Sequence, residues 1–124
     1  MRLKQSSLKN YYAKRRRIKK DNEGGTYVEY GAAFPFPGIE WPASGKVQAE
    51  MYGNRLSYIR NVKIDGVYTV KADDRGNIDY VFENGLVIRE MDGLCIYVKP
   101  DDAPDYKIIS IKPYMPLRLE CECL

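Results

Sequence analysis

Histidine is absent from the 124 residues. That removes Ser–His and Cys–His nucleophile pairs and every histidine-ligated metal from consideration. Cysteine is scarce, with only Cys95, Cys121 and Cys123. A structural zinc site takes about four ligands at suitable spacing. These thiols therefore read as small apolar strand residues, and Cys121 and Cys123, two apart, are expected to share a buried face. Their odd number suits a reducing compartment. No apolar run is long enough to cross a bilayer, and the charged N-terminus has no apolar stretch behind it. No membrane association is expected. No glycine-rich phosphate loop is present; Glu23-Gly24-Gly25 reads as a hairpin turn. Most acids, such as Asp73-Asp74 and Asp101-Asp102, sit in turns where carboxylates are solvated. The reading is of a protein that is not an enzyme, with no cofactor, no metal and no catalytic residue.

What is present is tyrosine, eleven residues against three phenylalanines. Tyrosine suits strands and half-wet surfaces. Charge is also uneven. Residues 1–20 hold nine Lys/Arg and no acid, whereas the rest holds eleven basic and seventeen acidic residues, a net −6. A basic arm on an acidic body can meet nucleic acid, an acidic partner or a second copy. Residues 1–13 read as a flexible arm, and the whole of 1–20 as a segment that orders fully only against a neighbour. Within it, Arg15, Arg16, Arg17, Lys19 and Lys20 are the candidate contacts to another subunit or to DNA.

Turn signals recur at short intervals: Asp21 to Gly25, Asp65-Gly66, Asp73 to Asn77, Asn84-Gly85, Asp92-Gly93, and Pro100 to Pro104. Short strand-like runs lie between them. Leu117 to Cys123 alternates apolar and charged residues. Asp105 to Pro113 with Leu117 to Cys123 reads as a final hairpin, and Lys14 to Lys20 with Thr26 to Gly31 as an early one. Leu94 to Val98 reads as a central strand. The proline-rich Phe34 to Pro42 reads as an extended edge strand or arm. The expected fold is mainly β: a single domain over 1–124, a small β-barrel or sandwich of about six to eight short strands. The expected core includes Ile96, Val98, Ile109, Ile111, Leu119 and Cys121.

Residues 44–56 break this pattern. Val47 and Met51 have helical spacing, Ser44 is a candidate N-cap, and Gly53 a stop. One short helix is expected near 44–53. Two roles compete. In one, Lys46, Gln48, Asn54 and Arg55 are polar groups on a moving segment with Gly45 and Gly53 near its ends, able to contact phosphate or a neighbouring copy. In the other, the helix caps the barrel, with Val47, Met51 and Leu56 as core plugs.

The run Trp41 to Leu56 resembles a motif of small phage and prophage proteins encoded among the head-to-tail joining genes. Pro104 to Tyr114 is similar to the penultimate strand of that family, and the basic start followed by a turn at Lys19 to Gly25 also fits. The resemblance is to the head-completion (head-closure, or stopper) proteins, PBSX-like prophage versions included. It implies a structural protein of the virion, at the head–tail interface, made in the bacterial cytoplasm. It implies a ring oligomer between the portal and adaptor proteins and the tail-completion protein, closing the DNA exit channel and touching packaged DNA, with Lys46, Gln48, Asn54 and Arg55 on a channel-facing gate loop. The two Phe-Pro pairs of Phe34 to Pro37 depart from the family's pattern. The alternative function is a small β-barrel that binds single-stranded nucleic acid, with Tyr11, Tyr12 and Arg15 to Arg17 as contacts.

Overall fold

The computed structural model describes residues 8–124. Among the described residues there are nine strands: β1 (Lys9–Lys20), β2 (Thr26–Pro42), β3 (Ile59–Ile64), β4 (Tyr68–Ala72), β5 (Ile78–Phe82), β6 (Val87–Ile88), β7 (Gly93–Cys95), β8 (Tyr106–Lys112) and β9 (Leu117–Cys123). One helix, α1 (Lys46–Tyr52), runs into a 3-10 turn at Gly53–Tyr58. Six strands close a barrel in the order β1-β2-β3-β9-β8-β7, and β4-β5-β6 form a second, smaller sheet. The mainly β expectation holds. No helix of the described residues is long and apolar enough to cross a membrane.

The barrel interior is one apolar cluster. Phe36, Ile64, Leu94, Ile108, Leu117, Leu119 and Cys121 are almost wholly buried in it. The small sheet supplies Tyr80, Phe82, Leu86 and Ile88 to the same cluster. It therefore plugs the barrel, and the Tyr68 ring packs against Tyr80 and Phe82 at 5.8 and 5.6 Å. Complete burial of such a side chain is worth about 1.5–3 kcal/mol.

Several expectations are corrected here. Ile109 is not core, because the β8–β9 register shifts between Ile108 and Ser110 and turns Ile109 off the inner face. Val98 lies beyond the strand, since β7 ends at Cys95; Ile96 packs only partly against the core. Cys123 is exposed at the end of β9 while Cys121 is buried. The early hairpin is longer on both sides than the turn signals suggest. Of the expected flexible arm, residues 1–7 lie outside the described residues. Residues 9–13 are barrel strand, with Tyr11 and Ala13 in the core. Phe34 to Pro42 is likewise inside the barrel sheet. Phe34–Pro37 pairs with β1, Gly38 with both neighbours, and Ile39–Pro42 with β3. The Pro37 carbonyl accepts from Asp65 N–H, on the side away from β1. The ring nitrogens of Pro35 and Pro37 face that same side, where the β1 ladder needs no donor.

Two of the hairpins close in the same way. Asp21 Oδ1 accepts from the N–H groups of Glu23 and Gly25 at 2.9 and 2.7 Å, with Gly24 at φ 84°. Asp73 Oδ1 accepts from Arg75 and Asn77, each at 2.9 Å, with Gly76 at φ 84°. The Asp side chain replaces backbone acceptors in the turn, and glycine supplies the left-handed residue.

Candidate functional site

The helical block over 46–58 is where the sequence and the structure disagree most usefully. The helix forms, but in a different phase. Val47 is 73% exposed and Met51 56% exposed, and Gln48 is the buried residue of α1. Val47 and Met51 are not core plugs, since the small sheet already fills the barrel. Ser44 is not the N-cap either. Gly45 holds that position without a side-chain cap, and the Ser44 N–H donates to Gln48 Oε1 at 3.0 Å.

Gln48 sits on a polar patch of the barrel wall. Its Nε2 donates to Asn61 Oδ1 at 2.7 Å and to Glu120 Oε2 at 2.6 Å. Asn61 Nδ2 returns a bond to Gln48 Oε1 at 3.2 Å. Asn61 and Glu120 are nearly inaccessible. Both are outward-facing strand residues that become buried because α1 lies over them. Glu120 Oε1 has Lys112 Nζ at 3.6 Å but no hydrogen bond, and Arg118 Nε is likewise buried without one. Burial, then the Glu120 carboxylate, pushes the Tyr52 hydroxyl up to about 12. In the 3-10 turn Arg55 Nε donates to Glu122 Oε2 at 2.6 Å.

Of the four residues expected on a gate, Lys46 and Gln48 share a groove of about 360 Å³ with Met51, Lys112, Arg118 and Glu120. Asn54 and Arg55 lie apart from it on the 3-10 turn. Both boundary glycines have left-handed φ, 89° at Gly45 and 55° at Gly53, which a side chain would strain. The sequence reading missed Asn61 and Glu120. Glu120 reads as an ordinary wet position of an alternating strand, and no local signal tells that a helix covers it.

The basic residues of the expected arm form one strand of a projecting two-stranded ribbon. Beyond Lys14, β1 pairs only with β2, and Arg17 to Glu29 are exposed throughout. Opposite pairs Arg16/Tyr30 and Ile18/Val28 share one face; Arg17/Glu29 and Lys19/Tyr27 share the other. Lys19 Nζ meets Glu29 at 2.7 Å, and the Arg17 guanidinium lies over Gly31. Arg15 Nε is 3.4 Å from the buried Asp92 carboxylate. That carboxylate also accepts from Arg16 N–H at 3.0 Å and Arg89 N–H at 3.1 Å, where Gly31 and Ala32 bulge opposite Arg15. Burial pushes Asp92 up, against these bonds and the arginine charges. Lys20 is exposed beside the turn. The ribbon thus gathers the five basic candidates, and two of their side chains, Arg15 and Lys19, are paired within the chain.

Among the described residues no group of His, Cys, Asp and Glu is placed to hold a metal ion. Compared with known proteins, the chain matches no family model, no curated protein and no solved structure.

Proposed function

We propose that this chain is a structural connector of a phage or prophage particle, of the head-completion or stopper kind. In this reading it assembles as a ring between the portal and adaptor and the tail, and closes the DNA exit channel. It is a non-enzymatic role in the virion, with self-association, the neighbouring connector proteins and packaged DNA as its contacts. One observation carries the reading. Helix α1 lies outside the core between Gly45 and Gly53, two glycines that tolerate backbone rearrangement, anchored through Gln48 on Asn61 and Glu120, with Val47 and Met51 turned to solvent. A segment attached in this way can leave the barrel without opening it. The resemblance of Trp41 to Leu56 and the small barrel support the same reading.

The single-stranded nucleic-acid alternative loses support from the same geometry. Tyr11 is buried against Phe36, and Arg15 is engaged by Asp92.

The test is deletion of Lys46 to Tyr52 with a glycine bridge. A folded domain is expected, in particles that package DNA and leak it before tails attach. A chain that fails to fold, or particles that retain their DNA, would overturn the gate. Fitting the chain into an electron-microscopy map of a connector would test its position directly.

A further inference from the structure

The two hairpins with matching turns flank an open cleft of about 600 Å³. One wall is β1 of the ribbon, through Arg16 and Ile18. The other is the β4–β5 hairpin, through Arg75, Asn77 and Ile78; Arg89 to Asp92 form the floor.

The β1 wall is an open strand edge. The Arg16 N–H donates to Asp92, on the side away from β2. Backbone groups in a strand point alternately to its two sides. Those of Ile18 and Lys20 therefore point the same way as that of Arg16, and beyond Lys14 no described strand pairs with β1 there. Ile18, Ile78 and Met91 are 62, 47 and 37% exposed around the cleft. Met91 lines it from a left-handed φ of 74°, a conformation that non-glycine residues adopt only when the surroundings hold them there. Arg89 is fixed by both oxygens of Asp79, at 2.7 and 3.0 Å. The guanidinium groups of Arg16 and Arg75 make no bond to another described residue.

We infer that this cleft takes an extended acidic segment of a partner protein, which adds as a strand to the β1 edge. Free backbone donors and acceptors supply the ladder, as in other strand-addition sites. Ile18, Ile78 and Met91 take apolar side chains on one side of the added strand. Arg16 and Arg75 meet carboxylates, and the basic excess of β1 excludes basic strands. The inference is independent of the connector reading.

The probe is an acetylated, amidated heptapeptide alternating glutamate and valine, titrated into the full chain and followed by amide NMR. Shifts are expected at Arg16 to Lys20 and Arg75 to Ile78, with slowed hydrogen exchange at Ile18 and Lys20. Methylating alternate peptide nitrogens should weaken binding about tenfold. So should Ile18→Pro, which removes a donor facing the cleft and none from the β1–β2 ladder. Arg16→Ser with Arg75→Ser should weaken it about as much and leave the fold intact. Equal binding of the methylated peptide, equal binding of a lysine–valine peptide, or no shifts at millimolar peptide would each overturn the inference. Shifts at the same amides on concentrating the protein alone, with a dimer in sedimentation, would assign the edge to a second copy and overturn it too.

Discussion

The Gln48 side-chain amide donates to the Glu120 carboxylate at 2.6 Å, across seventy-two positions of sequence. This bond joins α1 to the last barrel strand, beside Ile59, which is buried on the same outer face as Asn61. Replacing Gln48 by Ala should cost about 1–3 kcal/mol, because Asn61 and Glu120 lose a buried partner. Val47→Ser and Met51→Ser should each cost less than about 0.5 kcal/mol, as exposed substitutions do. Urea unfolding measures the difference. Removing the neighbouring charge in Glu120→Gln should bring the Tyr52 hydroxyl, held up at about 12 by burial and then by that carboxylate, closer to an ordinary tyrosine.

Asp92 serves the foot of the ribbon in the way Gln48 serves α1. Asp92→Ala strands the N–H groups of Arg16 and Arg89 and should cost about 3 kcal/mol. Asp92→Asn keeps an acceptor and should cost less. Thermal unfolding of the two variants should rank them in that order.

Two carboxylates tilt acid stability in opposite directions. The hydrogen bond from Arg89 holds Asp79 below its ordinary value of 3.8. Its contribution is present above that value and is lost as pH falls through the folded one. Burial instead raises Asp92 above 3.8, so its contribution is present at low pH and is lost as pH rises through its folded value. Melting temperature against pH should therefore show a flatter acid fall for Asp79→Asn. Asp92→Asn should remove the decline that begins above about pH 4.

The small sheet is the barrel's plug. Phe82→Ala should cost about 3–5 kcal/mol and Leu86→Ala about 2–5 kcal/mol, the usual range for buried truncations. If denaturant unfolding gave losses below about 1 kcal/mol, the sheet would be an appendage and not a plug.

Thiol chemistry should separate the three cysteines. In the native protein a disulfide reagent should reach Cys123 alone. Cys95 and Cys121 are buried, and burial holds both as thiols. They should react only on unfolding.

Much of the sheet was legible because its strands follow simple local rules. The final hairpin is an alternating strand beside a mostly apolar one, and Pro113 to Pro116 mark its loop. The Asp-to-Gly turns at 21–25 and 73–77 carry their own acceptors and left-handed residues. Ile109 failed because one bulge reverses the faces that alternation assigns. Helix α1 was found by Val47 and Met51, yet those residues face water. The surface that α1 covers is built by Asn61 and Glu120, far away in sequence, and it selects Gln48. The arm failed through composition: nine like charges suggested repulsion, but acids outside β1 answer two of them, Asp92 in the turn before β7 and Glu29 on β2. The candidate site was visible as a segment, and its contacts were not.

Strand β2 runs from the ribbon turn at Thr26, through the bulge at Gly31 and Ala32, to Pro42, with three residues between it and α1. Seventeen residues of strand have a contour length of about 55 Å. The molecule therefore has a strut along one side, with the ribbon at one end and the helical block at the other. A push on the ribbon loads β2 lengthwise, in shear against the ladders with β1 and β3. It arrives at the foot of α1 through Ala43 to Gly45. The ribbon and the foot of α1 are thus joined by one continuous length of backbone.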